Sequence, residues 1–209
     1  MKRAKGEPIV GSLPFEQGVF NFRPRGYQDA PTVEAALPYY IRLIRAHHKS
    51  TMEGDAQRIC DLRDDAQQLA CYLNGGTCMG ICTPTGPATL LEEATAVHRV
   101  PLWGQEGNFR VRMIGIPIAV KLEGLFGIGI FEADYPGFEV RAVDANLPFV
   151  SETGYRSFIG AGRRRLQPGL TPQAYVLRCL EEYLEGPMKG RLLRIEVGDR
   201  PWFERKKAS

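Results

Sequence analysis

Val33, Leu37, Tyr40, Ile41, Ile44 and His48 recur at helical spacing between Thr32 and Met52, the period of an amphipathic helix. Pro38 interrupts the stripe, so the helix either begins near Leu37 or carries a kink there. Gly54 ends it, and Asp55 is placed to cap a second helix reaching Leu73. Ile59, Leu62, Ala66, Leu69, Ala70 and Leu73 form the stripe of that helix, and Asn74-Gly75-Gly76 stops it. Its outward face reads as acidic (Asp61, Asp64, Asp65) and the first helix ends basic (Arg42, Arg45, Lys49). An αα-hairpin with complementary charge follows. Thr85-Gly86-Pro87 then opens a short helix to about His98, with Leu90, Leu91, Ala94 and Val97 as its apolar positions.

From Asn108 the period changes. Phe109, Val111 and Met113 alternate with Arg110 and Arg112, and Ile114, Ile116, Ile118 and Val120 take the opposite parity. A bulge near Ile114-Gly115 would produce that switch, and Pro117 favours an edge position. Leu125 to Ala133 reads as a second strand, Tyr135-Pro136-Gly137 as a turn, and Phe138 to Val143 as a third strand of a meander. Beyond Phe149–Ile159 come a Gly/Arg linker (Gly160 to Arg165), a helix from Thr171 to Leu184 and a last strand from Leu192 to Val197. Helices first and strands second indicate an α+β fold: an N-terminal αα-hairpin and short helix packed on an antiparallel meander sheet, with a C-terminal helix and strand. At 209 residues the expectation is a single domain, with an extended arm over 1–30 and a basic tail over 198–209.

Composition narrows the class. A chain 44% hydrophobic and 24% charged is neither disordered nor fibrous. Its most apolar stretch, Met113 to Ile130, is broken by Gly115, Pro117, Lys121, Glu123 and Gly124, which excludes a spanning helix and a membrane partner. The basic N-terminus is followed by no apolar run of a secretory signal, so a cytoplasmic setting is expected. Cys60, Cys71, Cys78, Cys82 and Cys179 then read as reduced thiols. Residues 155–209 hold twelve Lys/Arg against six Asp/Glu, a basic end that suggests either a polyanion contact or a solvated tail.

Most motifs of chemistry are missing. Cys71, Cys78, Cys82 and a histidine could be imagined around zinc, but C-x₃-C is not the knuckle spacing, and buried thiols explain the same residues. No metal and no cofactor is assigned. The loop Asn74 to Pro87 has the glycines of a phosphate nest without the ending of a P-loop or a preceding strand. His47 and His48 point about 100° apart on one helix, so at most one can face a given site.

The segment Phe149-Val-Ser-Glu-Thr-Gly-Tyr-Arg-Ser-Phe158 stands out. Ser151, Glu152, Thr153, Tyr155 and Arg156 surround Gly154, which permits a bend presenting Glu152 and Arg156 together. Arginine suits capture of carboxylate or phosphate, and tyrosine suits stacking on a base. A Glu–Arg pair locking a loop, with Tyr155 and Phe158 in the core, accounts for the same residues equally well. Arg163, Arg164 and Arg165 follow closely. These ten residues resemble a stretch of proteins from bacterial plasmids and integrated elements, and the resemblance implies a mobile-element context without an activity.

Three functional readings remain open. In the first, the chain binds nucleic acid or another polyanion through Arg163–Arg165, Lys189, Arg191, Arg194 and Arg205–Lys207, with Tyr155, Trp202 or Phe203 for stacking. The second is a small-molecule enzyme or sensor at the Ser151–Arg156 loop, Glu152 acting as acid/base and Arg156 as anion clamp. The third is a non-catalytic protein partner presenting the αα-hairpin.

Overall fold

The computed structural model describes residues 24–29, 32–75, 86–126, 137–158 and 167–196. Its elements are α1 (Val33–Glu53), α2 (Ala56–Leu73), α3 (Pro87–Thr95), β1 (Gly107–Met113), β2 (Ile116–Leu122), β3 (Phe138–Ala142), β4 (Tyr155–Phe158) and α4 (Pro172–Glu185). The class is α+β, as the pattern predicts, and the sheet is an antiparallel meander in the order β1-β2-β3-β4.

The helix starts follow capping chemistry. Thr32, Asp55 and Thr171 each accept a backbone N–H from the first turn, of Ala35, Arg58 and Ala174 respectively. Pro87 and Pro172 stand in the first turn, where no intrahelical donor is lost. Pro38 does not delay α1; the helix runs through it, with Pro38 and Glu34 both exposed, so water can take the carbonyl that the ring leaves unbonded.

Two hydrophobic cores result. One gathers α1, α2 and α3 around Tyr40, Leu43, Leu62, Leu69 and Leu91, and includes Tyr27, Leu125 and Phe126. The other lies between one sheet face and α4: Phe109, Val111, Ile118, Val120, Phe138, Val140 and Phe158 meet Tyr175, Val176, Leu180 and Leu184. Of the arm expected over 1–30, Tyr27 is buried; Phe15, Val19, Phe20 and Phe22, like the tail 198–209, lie outside the described residues.

Several expectations are corrected. Ile114-Gly115 is a two-residue hairpin turn rather than a bulge, with φ of 51° and 78°. Both central residues at positive φ is the signature of the turn that matches strand twist. β2 is therefore the run after the turn, and it is central. Pro117 is tolerated there because β3 pairs only with Ile118–Leu122. Opposite Arg112, one step beyond the hydrogen-bonded pair that closes the turn, its missing N–H would have pointed toward the side that β3 does not reach. The strand expected over Leu125–Ala133 begins as a turn at Leu125-Phe126, and the rest lies outside the described residues. The strand expected over Leu192–Val197 is a single antiparallel bridge, Leu193 to Phe149. In α3, Leu91 is buried but Leu90 is exposed. Asp65 is buried rather than outward, held by Arg25 at 3.0 Å. Cys71, also buried, is disulfide-bonded rather than a reduced thiol, with a partner outside the described residues; Cys60 and Cys179 are free.

Candidate functional site

The segment Phe149–Phe158 divides four ways. Its brackets, Phe149 and Phe158, are buried in the sheet core. Its hydroxyls build the turn before β4: Ser151 Oγ and Thr153 Oγ1 lie 2.9 Å apart, and Thr153 Oγ1 accepts the Tyr155 N–H at 3.3 Å. Gly154 takes the left-handed conformation that this turn needs, φ 72°. Beyond it the segment is strand rather than loop, and a strand sends consecutive side chains to opposite faces. Arg156 goes to the α4 side, with its guanidinium 4.6 Å from the Tyr183 ring centroid. Tyr155 goes to the other face.

The structure therefore does not bring Glu152 and Arg156 together. Glu152 is an exposed turn residue whose carbonyl accepts the Glu196 N–H, and no ion pair joins it to Arg156 among the described residues. Arg163, Arg164 and Arg165 lie outside the described residues.

What Tyr155 joins is a face that the alternation of β1 hides in plain sight. Read across the sheet, the register places Arg110, Ala119, Arg141 and Tyr155 in one row, with Asn108, Lys121, Glu139 and Ser157 in the next. α4 covers the opposite face, and among the described residues no helix covers this one. Ala119, small and flanked by two arginines, leaves a hollow. A groove of about 1020 Å³ runs over it, bordered by His98 and Arg99.

Two of the cations are held in place. Lys121 pairs with Glu106 at 3.3 Å and Arg141 with Glu139 at 3.2 Å. Tyr155 donates its hydroxyl to Glu139 at 2.9 Å, and its ring centroid lies 5.3 Å from the Arg141 guanidinium carbon above it. Burial and this bond to a carboxylate both raise the Tyr155 pKa, so the phenol stays neutral. Arg110 is exposed and has no ion-pair partner among the described residues. The lining thus sets Arg99, Arg110, Lys121 and Arg141 against Glu106 and Glu139, four charges less two, a net of +2 leaving His98 out of the count.

A second concentration of polar groups lies between the cores. His47 is buried and accepts Arg63 Nε at 3.3 Å on Nε2, while His48 Nδ1 accepts the Trp103 N–H at 3.2 Å. Both histidines meet the 103–104 turn, although only one was expected to face a given site: the Trp103 N–H reaches His48, and Gly104 abuts His47. Burial, then Arg63, pushes the His47 pKa down to about 3. Burial pushes Glu92 up to about 7, although its Oε1 accepts the Phe126 N–H. Among the described residues no group of three His, Cys, Asp or Glu side chains is arranged to hold a metal ion, and no helix is long and apolar enough to cross a membrane.

The molecule is thus an α+β chain whose meander sheet is backed by one helix and shows a basic polar face. Residues 106–189 match the family model of the KlcB third domain. Two curated relatives, each named Protein KlcB of Escherichia coli, are similar over part of their length. One is 35% identical over 106 residues, 49% of this chain and 22% of the relative. The other is 33% identical over 117 residues, 54% of this chain and 28% of the relative. The chain spans about a quarter of the length of the curated relatives it matches. No solved structure matches it. The matched span runs from one residue before β1 to four residues after α4, which is the sheet and its backing helix.

Proposed function

We propose that this chain binds a nucleic acid, or a polyanion of the same charge density, across the uncovered face of its sheet. The observation that supports this reading is the row Arg110, Ala119, Arg141 and Tyr155 on one sheet face: the first three line the groove, and the Tyr155 ring stands next in the row, beside Arg141. Guanidiniums serve phosphate, and the ring offers a base a stacking partner. The basic run Arg163–Arg165 follows β4 in sequence and adds positive charge to the same chain segment. A plasmid or integrated-element setting belongs to this reading and rests on the resemblance carried by Phe149–Phe158.

The test is fluorescence anisotropy with labelled single-stranded DNA, duplex DNA and RNA, over about 50 to 200 mM salt. Binding that weakens steeply with salt is expected, with Arg110→Ala lowering the salt slope by about one. Ala119→Leu fills the hollow and should weaken binding without changing the slope. Absence of binding at the lowest salt, or binding indifferent to both substitutions, overturns the proposal.

A further inference from the structure

The end of the β1–β2 hairpin is built against local preference. Ile114 sits at φ 51°, a conformation that a β-branched side chain tolerates poorly and that asparagine or glycine fills readily in this turn. Packing does not require it, since Ile114 is 73% exposed, the most exposed of the large apolar side chains described. A Cβ on the neighbouring Gly115 would meet nothing within 4 Å, so the turn stands in open space. It also overhangs the sheet: Ile116 and Pro117 pair with β1 alone, and β3 starts its pairing at Ile118. Arg112 braces the turn by donating to the Gly115 carbonyl at 3.0 Å. An exposed apolar tip thus projects from a ribbon with Arg110 and Arg112 behind it.

Charge decides what such a tip would enter. Residues 107–122 carry Arg110, Arg112 and Lys121 and no carboxylate. A neutral protein groove would not call for that balance, whereas a nucleic acid supplies phosphates for the arginines and base steps for an apolar wedge. Resting on the polyanion reading above, we propose that Ile114 is a wedge that parts two stacked bases while Arg110 and Arg112 hold the flanking backbone. The strained residue is kept because asparagine, which would fit the turn better, cannot unstack a base.

The experiment uses the full chain and DNA of about 20 nucleotides, single-stranded and duplex, with 2-aminopurine at successive positions. Its fluorescence rises when the base is unstacked. Wild type should produce such a rise on binding. Ile114→Asn should lose most of it and bind several-fold more weakly, yet melt about 2–4 °C higher because backbone strain is relieved, so that misfolding cannot explain the loss. Ile114→Leu, still apolar, should retain the signal. If wild type binds and Ile114→Asn matches it in affinity and fluorescence, the wedge is wrong and the polyanion reading stands. If wild type binds no nucleic acid, both fall. If Ile114→Asn instead converts a self-associated species to monomer, the residue is a contact between copies and the wedge is likewise overturned.

Discussion

The helical half and the sheet half of this chain bury their surfaces by different rules. Every buried polar or charged residue among those described belongs to α1, α2 or α3: His47, Ser50, Thr51, Arg63, Asp65 and Thr95. The sheet half keeps the polar side chains of β1, β2 and β3 on the uncovered face, with Arg156 of β4 exposed at the margin of the α4 side, and its buried core is apolar. A core of the first kind depends on partners, because a buried polar group that loses its bond costs more than the bond contributed. One of the second kind depends on volume. The contrast also separates the parts of the molecule by where charge enters the interior: the helical half buries Arg63 and Asp65 besides its exposed charges, and the sheet half buries none among the described residues.

Trp103 is where the two halves meet, so it gives the sharpest test. Its ring is fully buried in the sheet core against Tyr175, its indole N–H donates to Leu170, and its backbone N–H reaches His48 on α1. Trp103→Ala should cost about 3–5 kcal/mol, the largest single effect expected. Urea unfolding followed by near-ultraviolet signal and by helix content should stay coincident if the halves unfold as one unit. Two separated transitions would mean that the joint is all that couples them.

Glu92 and His47 test the buried charge of the helical half through pH. Glu92 has a folded pKa raised from 4.5 to about 7, so its contribution is complete below 4.5 and is lost as pH rises to 7. His47 has a folded pKa lowered from 6.5 to about 3, so its contribution is complete above 6.5 and is lost as pH falls toward 3. Between 4.5 and 6.5 the two oppose each other, and wild-type stability should be nearly flat. Glu92→Gln keeps an acceptor for Phe126 but removes one slope. Its stability relative to wild type should improve by on the order of 2 kcal/mol from pH 4.5 to pH 8, read from urea midpoints. A constant difference across that range would show that Glu92 does not titrate where its burial places it.

How much of this was legible in the sequence depends on whether the signal was local. Asp55 and Thr171-Pro172 announced helix starts because a cap is chemistry between residues three apart, and Gly86-Pro87 did so because proline suits a first helical position; Thr32 caps α1 although Pro38 left that start open in the sequence. The Ile114-Gly115 turn was misread because the usual Asn-Gly signal is absent and the strained residue is apolar. Tyr155–Phe158 was read as loop because four residues give a strand too little alternation to declare itself. The basic groove was invisible for a different reason. Arg110 and Arg112 were seen alternating with buried partners, the ordinary look of a solvated face, and only the register across β2 and β3 sets Arg141 and Tyr155 in the same row. That register depends on a turn which the sequence disguised.

Smaller effects refine the comparison. Gly54 has φ 77°, and a Cβ there would stand 2.6 Å from the Pro168 ring, so Gly54→Ala should cost about 1–3 kcal/mol by thermal melting. It presses α1 against the loop ahead of α4, where Gly169 donates its N–H to the Met52 carbonyl. Thr32→Ala and Thr171→Ala remove equivalent caps from the two halves and should each cost about 1 kcal/mol. Unequal costs would show that one half is already frayed where its helix begins.

The place of Trp103 bears on how such a chain can be cut. Residues 106–189 are the stretch matched by the family model, and they omit two members of the core they would need: Trp103, and Ile195 on the strand-like return beside Phe149. Excised at those limits, the piece would carry a void the size of an indole at one end of its interior and lose an aliphatic filler at the other. A piece from 103 to 196 keeps both Trp103 and Ile195, and leaves out Met52 among the described side chains packed on this core, so the boundary of likeness between proteins is narrower than the boundary of the core.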